Sequence, residues 1–435
     1  MEKTEEVVIE SIAAGGAGVA RLADGRVGFV HGVIDGERVR VGIDRASGSK
    51  QARLRLVAVL EPSPDRVDPP CDRYGACGGC DFMHMTRPAQ VDRHVAIVRA
   101  AIERAVGACP PIVAHPLSEA GCLRSRARFA IDRRGRIAFR AARSHELVPI
   151  ERCMVLEEGL VACAREIAGY LADAARAGKL GAGAEIGVGF GRFEGTKVPV
   201  ASVSLAEPPP ASFFARIEEA CRAGASGEPP RVAGVLVTIA GSRAPILVGD
   251  PRAAQGASDG VDVRLQAGGF AQASDEGARL LAEPAVALAR PEGARVLELF
   301  AGSGTLSVAL ARGAKSLMSV ERSGEAVRCA RENLAARGLE GTLREGDAEA
   351  MKIPAALDVV VLDPPRAGAP RAAAAIAEAK PKRVVYVSCD PATLGRDLAT
   401  LAKAGYAPRA VETVELFAHT SHVETVVLAE RGKKP

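Results

Sequence analysis

The chain has 435 residues, a hydrophobic fraction of 48% and a formal net charge of only +4. That length exceeds one ordinary core and predicts two or three domains, and so apolar a composition excludes a disordered protein. Aromatic residues make up 3%, with no tryptophan, so any grip on nucleic acid leans on arginine more than on stacked rings.

The first residues, Met1-Glu2-Lys3-Thr4-Glu5-Glu6, are acidic and do not form a secretory signal. No run of about 18 uncharged apolar residues occurs, which excludes an ordinary membrane span. The expectation is a soluble, cytoplasmic, monomeric protein whose ten cysteines are not a disulfide framework.

Residues 1–62 alternate short β-rich runs (Glu6–Ile9, Gly18–Leu22, Val27–Val30, Arg38–Val41) with turns at Gly15-Gly16, Asp24-Gly25 and Asp35-Gly36. So many short strands predict a small OB-like β-barrel. The proline-rich stretch 61–70 marks a boundary.

A central α+β domain is expected over 71–265. It opens on Cys71, Cys77 and Cys80, spaced x5 and x2 around glycines. Three thiolates so close leave a fourth ligand to be found, for zinc or for an iron–sulfur cluster, and Cys153 is the candidate. Spacing leaves the metal open. Cys109, Cys122, Cys163, Cys221 and Cys329 read as packing residues. A helix is expected from Ala89 to Val106, another from Leu160 to Ala177, and strands at Val198–Leu205 and Val232–Ile239. Between Arg87 and Arg152 stand thirteen arginines, no lysine and six acids. Arg124, Arg126 and Arg128 alternate, so on a strand they share one face, suited to RNA phosphates.

Residues 266–435 read as a doubly wound, Rossmann-like α/β domain closed by an antiparallel hairpin, Val411–Phe417 with Val423–Leu428. The buried strand Arg295–Phe300 runs into Ala301-Gly302-Ser303-Gly304, a turn that lets backbone approach a ligand at the helix Thr305–Arg312. Glu321 follows about 20 residues later, where an acid takes ribose hydroxyls. The loop lacks a P-loop lysine and the full dinucleotide spacing, so S-adenosylmethionine is the leading ligand. Asp347 either meets the adenine from a third strand or is a turn residue. Asp363, in Asp363-Pro364-Pro365-Arg366, ends a strand rigidly. Cys389 ends the strand Arg383–Ser388 at the sheet's carboxyl edge, and Asp390-Pro391 forbids continuation; the thiol is either a nucleophile or a small packed hydrophobe. Glu424 interrupts an apolar strand, as a general base or as a surface acid on an edge.

Together these residues resemble the RNA 5-methyluridine (uracil-C5) methyltransferase family, in its TRAM-domain and [4Fe-4S] branch. The matching motifs are Cys71-x5-Cys77-x2-Cys80 with Cys153, Phe270-Ala271-Gln272, Glu298 to Gly304, Asp363 to Arg366, Ser388 to Leu394, and His422 to Thr425. The resemblance implies a TRAM domain at the N-terminus and a [4Fe-4S] cluster on the four cysteines. It also implies a cofactor and uracil pocket lined by Gln272, Phe300, Gly302, Glu321 and Asp363, with Cys389 as nucleophile and Glu424 as base. The implied substrate is 23S ribosomal RNA, with transfer RNA as the alternative. A non-catalytic RNA-binding protein that keeps this fold is the rival class. Two positions depart from the family pattern: Ser274, where asparagine is common, and Ala301, where cysteine is common.

Overall fold

The computed structural model describes residues 4–44, 51–119, 123–180, 183–224 and 227–432, which form three large sheets, a two-stranded ribbon and the helices that cover them. Cys122 lies outside the described residues.

The first sheet is curled and holds Thr4–Val8, Ser11–Ile12, Gly18–Arg21, Val27–Val30, Arg38–Ile43 and Gln51–Glu61. Its edge strands, Thr4–Val8 and Ser11–Ile12, are consecutive in the chain, so the sheet wraps round on itself. Alternation drives the wrapping. Val39 and Val41 are fully buried, while Arg38 and Arg40 between them face water.

The linker 61–70 leaves this sheet as expected, but packing continues past it. Glu37, with no solvent exposure, accepts from Arg66 Nε at 2.5 Å and Nη2 at 2.7 Å, and from the backbone N–H groups of Ile34 and Ser63. Breaking a buried pair of this kind costs about 3–5 kcal/mol, so the linker is pinned. Phe82, Met85, Ala89 and Ile97 then complete the core of the curled sheet, whose short strands supply too few large side chains to fill it.

The second sheet runs Leu147–Pro149, Ile137–Arg140, Ala127–Ile131, Glu185–Phe193, Thr196–Leu205, Gly234–Ile239, Ile246–Gly249. Neighbours are antiparallel except Thr196–Leu205 and Gly234–Ile239, which are parallel and joined through the helix Ala211–Ala220. The helix Leu160–Tyr170 buries Leu160, Cys163, Ala164 and Ile167 against it.

The third sheet has the order Thr342–Glu345, Ser316–Glu321, Arg295–Leu299, Val359–Leu362, Arg383–Ser388, Glu424–Arg431, Tyr406–Val414, Ile112–His115. The first five strands are parallel, and the pair Tyr406–Val414 and Glu424–Arg431 is the expected antiparallel hairpin. Helices cover both faces, so Val359–Leu362 is buried throughout, as a central parallel strand must be. Truncating Leu362 to alanine would cost about 2–5 kcal/mol. Strand order reverses between Arg295–Leu299 and Val359–Leu362, which opens a ligand crevice at their carboxyl ends.

Two elements cross the boundary expected at residue 265. Ile112–His115 is an edge strand of the third sheet, parallel to Tyr406–Val414. The helix Arg87–Val106 packs on the helix Pro391–Lys403, so closely that a Cβ on Gly395 would lie 3.2 Å from Ala101 O. The bidentate pair of Arg87 with buried Glu415 fixes this docking. The helix Asp275–Ala289, unnamed in the sequence reading, covers the sheet's other side. No helix of the described residues is long and apolar enough to cross a membrane.

Candidate active site

The crevice begins where the strand Arg295–Leu299 ends. Phe300 (φ 62°), Gly302 (φ 56°) and Gly304 (φ 87°) all lie in left-handed backbone, and a Cβ on Gly304 would stand 3.0 Å from Ala330 Cβ. The turn is therefore tight and glycine-dependent. Glu321, at the end of the next strand, accepts from Gly302 N at 3.0 Å and Ser323 N at 2.8 Å. Each carboxylate oxygen keeps acceptor capacity beyond these bonds. Ser303 Oγ accepts from Gln266 N, and Ser323 Oγ donates to Gln266 Oε1 at 2.7 Å, so the segment before Gln272 forms the opposite wall.

Gln272 is buried at 8% exposure, and its carbonyl accepts from Arg126 Nε at 3.0 Å and Gln255 Nε2 at 3.2 Å. Ser274 caps the helix Asp275–Ala289, its hydroxyl accepting from Gly277 N at 3.0 Å. That capping role accounts for a serine there. Asp347 stands in a turn, paired with Arg322 and Arg371 at 3.3 Å each and accepting from Glu349 N. It lies just after the third-strand segment, where Gly346 N donates to Glu321 O at 2.9 Å, a position compatible with both expected readings.

Sheet register brings the reacting groups together. The strand Arg383–Ser388 lies between Val359–Leu362 and Glu424–Arg431, with Leu362 opposite Tyr386 and Ser388 opposite Thr425. Continued by one residue, the register sets Cys389 opposite Glu424 and Asp363 opposite Val387, two residues before the thiol, and both carboxyls act on Cys389 electrostatically. Asp390 caps the next helix, accepting from Ala392 N and Thr393 N, and so fixes where the thiol emerges.

Burial raises the pKa of all three groups, and carboxyl charge adds to the rise at Cys389 and Glu424. Burial pushes Cys389 up to about 11; Glu424 and Asp363 add to the rise and Arg366 opposes it. Burial pushes Glu424 up to about 8, with Asp363 adding and Arg366 opposing. Asp363 is raised to about 7 by burial. Arg366 is the cation the sequence reading did not single out, although it closes the Asp363-Pro364-Pro365 motif. It also lies 3.2 Å from the ring nitrogens of His422. Carboxyls raised to 7–8 beside a thiol are tuned for proton transfer near neutral pH.

A cavity of about 980 Å³ joins this edge to the cysteines. Its lining includes Arg366, Phe417, Gly268 to Ala271, the three alternating arginines Arg124, Arg126 and Arg128, and Cys71, Cys77, Cys80 and Cys153. All three arginines line this cavity, although only Arg128 lies on the strand Ala127–Ile131, so a shared strand face is not what gathers them. Arg126 is deeply buried, and desolvation lowers its guanidinium to about 10. Arg124 donates to Gly79 O and Ala418 O at 3.3 Å, reaches Cys80 Sγ at 3.9 Å and lies over the Phe417 ring at 5.4 Å. Phe270, 79% exposed, projects at the rim.

Among the described residues, no three histidine, cysteine or acidic side chains converge as a single metal ion requires. The four cysteines are nevertheless all free and all face the same cavity. Gly79 N donates to Cys77 Sγ at 3.4 Å, and Arg124 supplies positive charge at Cys80. Four free thiols around one cavity form a donor set whose chemistry suits zinc or an iron–sulfur cluster alike. Cys163 and Cys329 are buried, and Cys109 and Cys221 half-buried, as packing residues.

Comparison with known proteins gives a consistent result. Residues 286–394 match the family model described as Conserved hypothetical protein 95. The chain is 32% identical to the 23S rRNA (uracil(1939)-C(5))-methyltransferase RlmD of Pseudomonas entomophila, covering 99% of this chain and 94% of that protein. It is 34% identical to RlmD of Halomonas elongata, over 99% of this chain and 90% of the relative. An uncharacterized RNA methyltransferase of Gloeobacter violaceus is 32% identical over 99% and 97%. Among solved structures, the tRNA (uracil-54, C5)-methyltransferase of Pyrococcus abyssi in complex with S-adenosyl-L-homocysteine has the same fold, with a TM-score of 0.70 at 22% identity over 98% of this chain and all of that one.

Proposed function

The chain belongs to the 23S rRNA uracil-C5 methyltransferase family, and from that premise we propose that it methylates C5 of a uridine in 23S ribosomal RNA through a covalent adduct on Cys389. The observation that carries the mechanism is the strand register, which brings Cys389 opposite Glu424 with Asp363 at the end of the neighbouring strand.

C5 of uracil is a poor nucleophile, and addition of a thiolate to C6 makes it a good one. Cys389 makes that addition. S-adenosylmethionine supplies the electrophilic methyl group. The crevice formed by Phe300, Gly302, Glu321 and Gln272 holds the donor, and Asp347 borders it. Asp363, protonated in part near neutral pH, steadies charge that builds on the ring. Glu424 then takes the C5 proton, the electron pair forms the C5–C6 double bond, and the C6–S bond breaks to free Cys389. The base must leave its stack to reach this edge. The curled sheet, read as a TRAM-like module, and the cavity arginines would hold the surrounding RNA. Cys71, Cys77, Cys80 and Cys153 would carry a [4Fe-4S] cluster that shapes this RNA-facing wall, since methyl transfer needs no electron. The protein would work as a monomer in the cytoplasm.

The test is Cys389→Ala. The variant should bind S-adenosylhomocysteine in calorimetry yet leave ribosomal RNA unmethylated and form no adduct on a denaturing gel. Methylation at the normal rate would sink the mechanism. Mapping 5-methyluridine in ribosomal and transfer RNA from a deletion strain identifies the RNA.

A further inference from the structure

The general base is only as well placed as the loop that leads into it. Residues 415–423 join the strands Tyr406–Val414 and Glu424–Arg431, and His419 within them lies in left-handed backbone at φ 66°. A non-glycine residue there is held by its surroundings. Those surroundings come from residues 81–94, far away in sequence. Asp81 N and Phe82 N both donate to His419 O, at 3.0 and 2.9 Å. The Asp81 carboxylate accepts from Ser421 N at 2.7 Å and from Ser421 Oγ at 2.7 Å, one bond to each oxygen. His94 Nε2 lies 2.8 Å from Thr420 O. The curled sheet closes over the junction, because a Cβ on Gly16 would stand 2.6 Å from Asp81 Oδ2 and 3.0 Å from Ser421 Cβ.

Ser421 is three residues from Glu424, and both are 8% exposed. We propose that Asp81 is a positioning residue for Glu424: its two-pronged hold on Ser421 fixes the approach of the base to the C5 proton. The proposal rests on the reading of Glu424 as that base. It concerns only the elimination step. In that step the C5–H bond breaks with its proton passing to the Glu424 carboxylate, its electron pair forms the C5–C6 double bond, and the C6–S pair leaves on Cys389. Addition of Cys389 to C6 depends on the neighbouring strand end and is untouched. Charge-assisted bonds to a half-buried carboxylate are strong and directional, which suits this holding role.

The experiment uses the full chain, an unmodified 23S rRNA transcript and S-adenosylmethionine, and follows adduct and free methylated RNA separately on denaturing gels. Asp81→Ala should form adduct at the normal rate and release product about 100-fold more slowly, the cost of displacing a reacting group by about 1 Å. Asp81→Asn, which can still accept from Ser421 N and meet its hydroxyl, should restore release. Ser421→Ala removes one bond only, leaves the fold intact and should slow release about tenfold. Normal release in both Asp81→Ala and Ser421→Ala, or equal slowing of adduct formation and release in Ser421→Ala, overturns the proposal. Glu424→Gln serves as the control: if it accumulates adduct while the Asp81 and Ser421 variants release normally, only the positioning role falls. If it forms no adduct, the mechanism itself falls, and the positioning role with it.

Discussion

The two sets of cysteines proposed to carry chemistry are built in opposite ways. Cys389 sits one residue past a strand buried from Val384 to Ser388, with a paired strand on either side and a capped helix after it. Cys71, Cys77, Cys80 and Cys153 stand in irregular segments, outside any named strand or helix. A strand-end thiol is placed by the sheet whether or not anything is bound. The thiols outside strands are held by fewer backbone bonds, such as Cys77 N to Arg73 O at 2.8 Å and Gly78 N to Arg140 O at 3.0 Å, and a shared ligand would make them more rigid. The contrast predicts that damage to the first set destroys chemistry and leaves the fold, whereas damage to the second loosens the RNA-facing wall and leaves the cofactor crevice.

The largest effect should come from Glu424→Gln. Removing a general base slows turnover by about 10²- to 10⁴-fold, and here the stall should appear as a persistent protein–RNA adduct. Thermal unfolding should barely move, because glutamine loses only a charge that burial already disfavours. A variant that loses its fold along with its activity would break the contrast, by showing that the strand end is held through Glu424.

The second effect concerns the cysteines in irregular segments. Protein purified without oxygen should carry about four irons per chain and a visible absorption band, both lost in Cys80→Ser. That variant should bind ribosomal RNA about tenfold more weakly while its affinity for S-adenosylhomocysteine stays unchanged. Loss of cofactor binding would break the comparison, since it would tie the crevice to those segments.

The same contrast explains what could be seen in the sequence. Groups on strand ends announce themselves: an apolar run followed by Asp363-Pro364 or Cys389-Asp390-Pro391 gives both the element and the place where it stops. The doubly wound order follows from alternation for the same reason. Contacts made by turns leave no periodic trace. Nothing near Asp81 in sequence suggests Ser421, and nothing in Ile112–His115 reveals that its partner is Tyr406–Val414, about 300 residues away. The helix Asp275–Ala289 was hidden by Pro284 within it, which normally argues against a helix interior. Arg366 has no pattern of its own beyond closing the Asp363-Pro364-Pro365 motif, yet its positive charge opposes the rise at both Cys389 and Glu424.

The smallest effect tests the electrostatics of the strand end alone. Cys389 is raised to about 11 first by burial and next by the negative charge of Glu424. Above about pH 8 Glu424 is ionised, and a carboxylate close to the sulfur disfavours the thiolate. Removing that charge must therefore lower the thiol's pKa. At pH 9, alkylation of Cys389 by iodoacetamide, followed by mass spectrometry of its peptide, should run roughly threefold faster in Glu424→Gln. Arg366→Ala removes a cation that favours the thiolate and should slow the same reaction. Both variants leave burial of the sulfur as it was, so the pair separates charge from desolvation. If both change the rate in one direction, the groups act on access to the thiol, and the strand end is less rigid than its register implies. Opposite shifts would show that Cys389, Glu424 and Arg366 act as one electrostatically coupled site.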